Sequence, residues 1–122
     1  MSNILVVDSF AWMEYFAGNG NYRRLIDEGS LLTPSVVVAE IARTLKRKGL
    51  NDPAIDRQLA IIKRRSAILD LDFEHARKAG IIAEEKGLHF ADALIYSFAS
   101  EKELLLTGDR HFEKLEFAKV VK

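Results

Sequence analysis

With 122 residues, the chain reads as a single domain spanning 1–122, long enough to bury its own core. It has no cysteine, which excludes disulfides and thiolate metal sites, and its 18 basic residues balance 18 acidic ones, so net charge gives no global argument for a polyanionic partner. No apolar run approaches the length of a membrane span and no signal segment is visible, so a cytoplasmic protein with no membrane association is expected.

The first element is the strand Asn3-Ile4-Leu5-Val6-Val7, whose continuous apolar run fits burial on both faces of a sheet. It ends abruptly in Asp8-Ser9, and a short helix from Ser9 to Ala17 follows, closed by Gly18-Asn19-Gly20. A second helix is expected from Tyr22 to Glu28, and Leu31-Leu32 reads as a short strand. Thr33-Pro34 reads as a helix start, with Thr33 as N-cap and Pro34 in the first turn. The helix it opens carries Val36, Val37, Ile41 and Leu45 and closes at Gly49.

Asp52-Pro53 opens a further helix to Arg65, with Ile55, Leu59 and Ile62 on one face. Ala67 to Leu71 reads as strand. Asp72 caps a helix in which Phe73, Ala76, Ala79, Gly80 and Ala83 line one side and Gly80 implies close packing; Gly87 ends it. Phe90 to Ser100 is apolar nearly all round and reads as a buried helix. Leu104-Leu105-Leu106 is a strand ending in Thr107-Gly108-Asp109, and Ala118 to Val121 is the last strand. Strands alternating with helices imply a three-layer α/β/α sandwich around a mostly parallel sheet of four or five strands.

Charge is uneven along this frame. Between Arg43 and Arg65 stand eight basic residues (Arg43, Lys46, Arg47, Lys48, Arg57, Lys63, Arg64, Arg65) against two acidic ones, Asp52 and Asp56. Such a run is either a set of solvated helix faces or a local patch that steers a polyanion.

Four carboxylates stand in apolar surroundings. Asp8 and Asp109 each follow the carboxyl end of a strand; Glu40 and Asp92 are embedded in the apolar helices at Val36–Ala42 and Phe90–Ile95. Taken singly, each has a structural reading: Asp8 as a helix cap, Glu40 as a partner of Arg43 or Thr44, Asp92 as a first-turn carboxylate, Asp109 as a turn residue. Taken together, four poorly paired carboxylates that converge would repel one another, and a divalent cation relieves that. An all-oxygen ligand set suits Mg²⁺ or Mn²⁺, ions that clamp phosphate oxygens and activate water.

Four motifs, in order, carry a family likeness: Val6-Val7-Asp8-Ser9; Thr33-Pro34-Ser35-Val36-Val37-Val38-Ala39-Glu40-Ile41; Phe90-Ala91-Asp92-Ala93-Leu94-Ile95-Tyr96; and Leu105-Leu106-Thr107-Gly108-Asp109-Arg110-His111-Phe112. Over essentially the whole length, the chain resembles the PIN domain, in particular the VapC-type toxin ribonucleases of prokaryotic toxin–antitoxin pairs. The resemblance implies a metal-dependent endoribonuclease that cleaves RNA, partnered by a cognate antitoxin and dimeric. It places Asp8, Glu40, Asp92 and Asp109 in the metal-binding, catalytic cluster. Thr107 becomes a supporting hydroxyl, with Ser9 acting alike or meeting substrate. Apart from the resemblance, Arg43, one turn after Glu40, and Arg110 are candidate phosphate contacts. Phe10 departs from the pattern, since relatives often carry a small residue there.

Of the remaining residues, Trp12, Tyr15 and Phe16 read as core or as an association face, His75 and His89 as structural, and His111 as a surface histidine or an acid–base group. A phospho-receiver domain would place adjacent acidic residues after the first strand and a lysine after the last pocket strand, where this chain has Asp8-Ser9 and Thr107-Gly108-Asp109. A haloacid-type phosphatase needs a second Asp where Phe10 stands. The alternative on the same fold is a non-catalytic RNA-binding or RNA-processing scaffold, against which the intact carboxylate set argues.

Overall fold

The computed structural model describes residues 3–121. Strands β1 (Ile4–Val7), β2 (Ser30–Pro34), β3 (Ser66–Leu69), β4 (Glu103–Thr107) and β5 (Ala118–Val120) form one sheet in the order β3-β2-β1-β4-β5, with every pairing parallel. Six helices accompany them: α1 (Ser9–Phe16), α2 (Gly20–Glu28), α3 (Ser35–Arg47), α4 (Asp52–Arg65), α5 (Phe73–Lys86) and α6 (Phe90–Tyr96). Successive residues of a strand point to opposite faces, and Leu5, Val6 and Val7 of β1 are all buried. Both faces of the sheet are therefore covered, as the continuous apolar run requires. No helix among the described residues is long and apolar enough to cross a membrane.

The topology decides where a ligand can enter. From β1 the chain builds outward through β2 to β3, then returns to add β4 and β5 on the other side. The order reverses between β1 and β4, and in parallel sheets the crevice beyond the carboxyl ends at such a point is where ligands bind. Val7 is in register with Leu106, and the Asp8 amide donates to the Leu106 carbonyl at 3.3 Å. Asp8 and Thr107 are thus neighbours at that edge.

Helix starts follow the short polar side chains. Asp8 caps α1, Asn19 caps α2, Asn51 caps α4 and Asp72 caps α5, each accepting from a backbone N–H of the first turn. Helices α3 and α6 start without a side-chain cap, and α3 corrects the reading of Thr33-Pro34. Both residues belong to β2, paired with Ile68 and Leu69, and α3 begins at Ser35 without a side-chain cap. The Thr33 hydroxyl is buried, where it accepts from the Trp12 indole N–H at 3.1 Å and bonds Ser66 at 2.8 Å. A hydroxyl occupied inside the core cannot serve a helix end.

Other differences are smaller. Gly20 opens α2 instead of ending α1, and α6 stops at Tyr96, four residues short of Ser100. Phe73 is 81% exposed and Gly80 faces open space, so neither packs as the α5 pattern implies. A 3₁₀ turn at Arg110–Phe112, unassigned in the sequence, sends the Phe112 ring into the core. His75 stacks on Phe98 with ring centroids 4.1 Å apart and pairs with Asp72, a structural role. Trp12 is fully buried and belongs to the core.

Candidate active site

The site is built from four elements that meet at the carboxyl edge of β1 and β4. Asp8 stands at the junction of β1 and α1 and is only 3% exposed. Its Oδ1 accepts from the Ala11 N–H at 2.8 Å, and the Thr107 side chain also hydrogen-bonds the carboxylate. The two readings of Asp8 are therefore compatible, since the residue caps α1 and also stands at the edge where the strand order reverses.

Glu40 reaches the site from α3, which packs against both α1 and α6. It is half-buried and accepts from the Ser9 hydroxyl at 3.0 Å. Neither Arg43 nor Thr44 takes that bond. Asp92, in the first turn of α6, and Asp109, beyond β4, complete the four. The Thr107 hydroxyl accepts from the Asp109 N–H at 3.0 Å, so this one buried hydroxyl ties Asp8 to the loop that carries Asp109.

Electrostatics joins the carboxylates. Burial pushes Asp8 up to about 7 against an ordinary value of 3.8, and the charges of Asp109 and Glu40 push the same way. Burial, then the charge of Asp92, raises Glu40; burial, then the charge of Asp109, raises Asp92. Each of the four carboxylates is thus coupled by charge to another member of the set. The closest group among the described residues is nevertheless Asp92, Asp109 and His111, whose ligand atoms all lie within 4.8 Å of one another. Asp8 and Glu40 lie further out and are linked to that group by charge.

His111 is the residue that sequence reasoning set aside. It is 68% exposed, its Nδ1 lies 3.0 Å from Asp109 Oδ1, and its own N–H caps that carboxylate at 2.9 Å. The His89 ring stands 6.0 Å away at a steep angle, and both imidazoles favour the charged form of Asp92. A histidine two residues after an aspartate carries no pattern of its own, so only the 3₁₀ turn reveals the pairing.

The donor set fits a divalent cation. No Lys or Arg forms an ion pair with any of the four carboxylates among the described residues; the Lys46 and Arg65 pairs serve Asp52 and Asp27. One buried and three part-buried carboxylates whose charges act on one another, with one imidazole beside them, are what an oxygen- and nitrogen-binding ion would neutralise. Arg43 and Arg110, the expected phosphate contacts, are both exposed, on α3 and at the start of the 3₁₀ turn.

Gly108 shows why this loop is tight. A side chain there would collide with the Phe10 ring and the Tyr22 hydroxyl. Tyr22 is pinned by donating to the Val121 carbonyl at 2.6 Å, and burial, then the Asp8 charge, pushes its phenol up to about 12.

A parallel α/β domain with an acidic crevice at its switch point is the class that this fold and site define. The PIN domain pattern matches residues 5–118, and the chain belongs to that family. The fold is similar to a chain of VapBC2 from Rickettsia felis bound to a DNA fragment from its promoter, with TM-score 0.74, 20% identity, and 97% of each chain covered. It is similar also to a chain of a toxin–antitoxin complex from Klebsiella pneumoniae, with TM-score 0.80 and 13% identity over 95% of this chain and 96% of that one. VapC20 from Mycobacterium tuberculosis, described as a sarcin-ricin-loop-cleaving toxin, matches with TM-score 0.61 and 19% identity over 76% of this chain and 78% of its own. No curated protein sequence matches this chain.

Proposed function

We propose that the chain is a metal-dependent endoribonuclease and the toxin of a cytoplasmic toxin–antitoxin pair. The observation that carries this reading is the set of four charge-coupled carboxylates, unpaired by Lys or Arg, at the switch point of a PIN domain. Asp8, Glu40, Asp92 and Asp109 would hold Mg²⁺ or Mn²⁺, with His111 as a fifth donor. When bound, such an ion supplies positive charge for the phosphate oxygens and acidifies water at the site.

The remaining residues position this set. Thr107 holds Asp8 and the Asp109 loop, and Ser9 holds Glu40, so each outer carboxylate is fixed by a hydroxyl before substrate arrives. Arg43 and Arg110, both exposed, bind RNA phosphates. A cluster carboxylate accepts the proton of the attacking water. The toxin assignment draws on the structural likeness to chains from toxin–antitoxin complexes, which also supports a cognate antitoxin as partner; a homodimer belongs to the same reading as a family expectation.

The test is cleavage of single-stranded and structured RNA by the purified protein with Mn²⁺ or Mg²⁺, repeated with EDTA and with Asp8→Asn. Metal-dependent cleavage lost in both controls supports the reading. Cleavage that persists in both sinks the metal–carboxylate mechanism, and RNA binding without cleavage favours the scaffold. Co-purification with the product of an adjacent small reading frame, and loss of cleavage in that complex, tests the toxin assignment.

A further inference from the structure

We propose that Phe10 is a stacking face for an unpaired nucleobase beside the scissile phosphate, an inference that rests on the ribonuclease reading and specifies how its substrate is gripped. Phe10 lies two residues after Asp8 in the first turn of α1. Its neighbours Asp8, Ala11 and Trp12 are buried, yet this large apolar side chain remains 43% exposed. The core therefore does not explain its presence.

The ring is nevertheless held in place. One edge lies against Gly108, whose lack of a side chain leaves room for it. On another side stands Tyr22, with ring centroids 6.3 Å apart and an interplanar angle of 53°. Tyr22 is itself fixed by its bond to Val121. A ring braced on two sides and open to solvent presents a π-surface with little rotational freedom left to lose on binding.

Its location gives the occupant. Gly108 sits between Thr107, which holds Asp8, and Asp109, so the Phe10 ring lies against the loop that carries part of the carboxylate set. Arg110 follows immediately and is exposed. An exposed aromatic ring against the loop that joins Thr107 to Asp109, with the exposed Arg110 next in sequence, matches single-stranded RNA, in which charged phosphates alternate with flat apolar bases. A double helix keeps its bases stacked and would leave the ring unused. The recognition is tolerant of base identity, because every base offers a π-face.

The experiment compares the wild-type chain with Phe10→Ala, Phe10→Leu and Phe10→Trp on a short single-stranded oligoribonucleotide. Phe10→Leu keeps the cover over Gly108 without the π-face and guards against a folding artefact. The expected result is a KM raised about 10-fold in the Ala and Leu variants, with kcat little changed and KM restored in the Trp variant, in line with the worth of one base–aromatic stack. In Phe10→Trp, RNA should also quench a tryptophan emission that the wild type, whose Trp12 is buried, does not show quenched. A Leu variant as good as wild type, or unquenched emission from Phe10→Trp, overturns the proposal while leaving the ribonuclease reading intact. So does a Phe10→Ala defect confined to antitoxin binding. A wild-type protein that neither binds nor cleaves RNA removes both.

Discussion

Ser9 donates its hydroxyl hydrogen to Glu40 at 3.0 Å, joining the residue after the first strand's terminal carboxylate to a helix that begins beyond the second strand. The bond lowers the proton affinity that burial and Asp92 raise in Glu40. Ser9→Ala should therefore leave Glu40 protonated to a higher pH. The expected outcome is a fold unchanged by circular dichroism, cleavage reduced about 10-fold at neutral pH, and an acid limb of the pH–rate profile displaced upward, since one hydrogen bond to a charged group contributes about 1.5–3 kcal/mol. An unmoved acid limb would assign the serine to packing alone.

Asp8 makes the metal-free protein sensitive to pH in a defined direction. Its carboxyl titrates at about 7 when folded and near 3.8 when unfolded. Below both values it is neutral in either state. As pH rises between them, the unfolded chain ionises first while the folded chain keeps its proton, so this group's contribution to stability is lost progressively up to about pH 7. The difference amounts to about 4 kcal/mol. Glu40 and Asp92, also raised, act with the same sign. In EDTA, wild-type Tm should fall from pH 5 to pH 8 more steeply than that of Asp8→Asn, and the variant should be the more stable at pH 8. Added Mn²⁺ should restore the wild type and not the variant. Parallel Tm profiles for the two proteins would contradict the burial of this charge.

The strand ends were legible because an apolar run that stops in polar residues is a strong local signal, with Asp8 directly after β1 and Thr107-Gly108-Asp109 after the leucines of β4. The apolar settings of Glu40 and Asp92 were legible for the same reason. Three features were not. Thr33-Pro34 spells a helix start, yet Pro also suits the last residue of a strand, and only the burial of the Thr33 hydroxyl against Trp12 and Ser66 separates the two. Gly80 in a helix reads as close packing, but it faces open space, and no neighbouring residue marks that difference. His111 joins Asp109 through a 3₁₀ turn three residues long, too short to leave a period in the sequence.

That turn makes a contribution of His111 to ion binding testable. With its Nδ1 3.0 Å from Asp109 Oδ1, the imidazole either contributes a nitrogen donor or orients Asp109. In both cases His111→Ala should weaken Mn²⁺ binding about 10-fold by calorimetry, the low end for outer partners of metal ligands, without changing Tm in EDTA by more than the small amount typical of surface changes. The two roles separate on Co²⁺, a probe whose visible spectrum changes when nitrogen leaves its coordination shell. An unchanged spectrum with weakened affinity indicates orientation; unchanged Mn²⁺ affinity removes His111 from the site.

Gly108 couples the fold to the site most tightly, because the space its side chain would take is already filled by Phe10 and Tyr22. An added Cβ would have to displace Phe10, which has solvent on one side, because Tyr22 is buried and bound to Val121. Gly108→Ala should therefore destabilise by about 1–3 kcal/mol, the usual range for overpacking, and should shift the loop holding Asp109. Removing the movable neighbour should relieve part of that cost. Phe10→Ala combined with Gly108→Ala should be more stable than the sum of the single changes implies, by about 1 kcal/mol, with the residue set by Tyr22. Chemical denaturation of the four proteins measures this coupling. Strict additivity would mean that the Phe10 ring does not rest on Gly108.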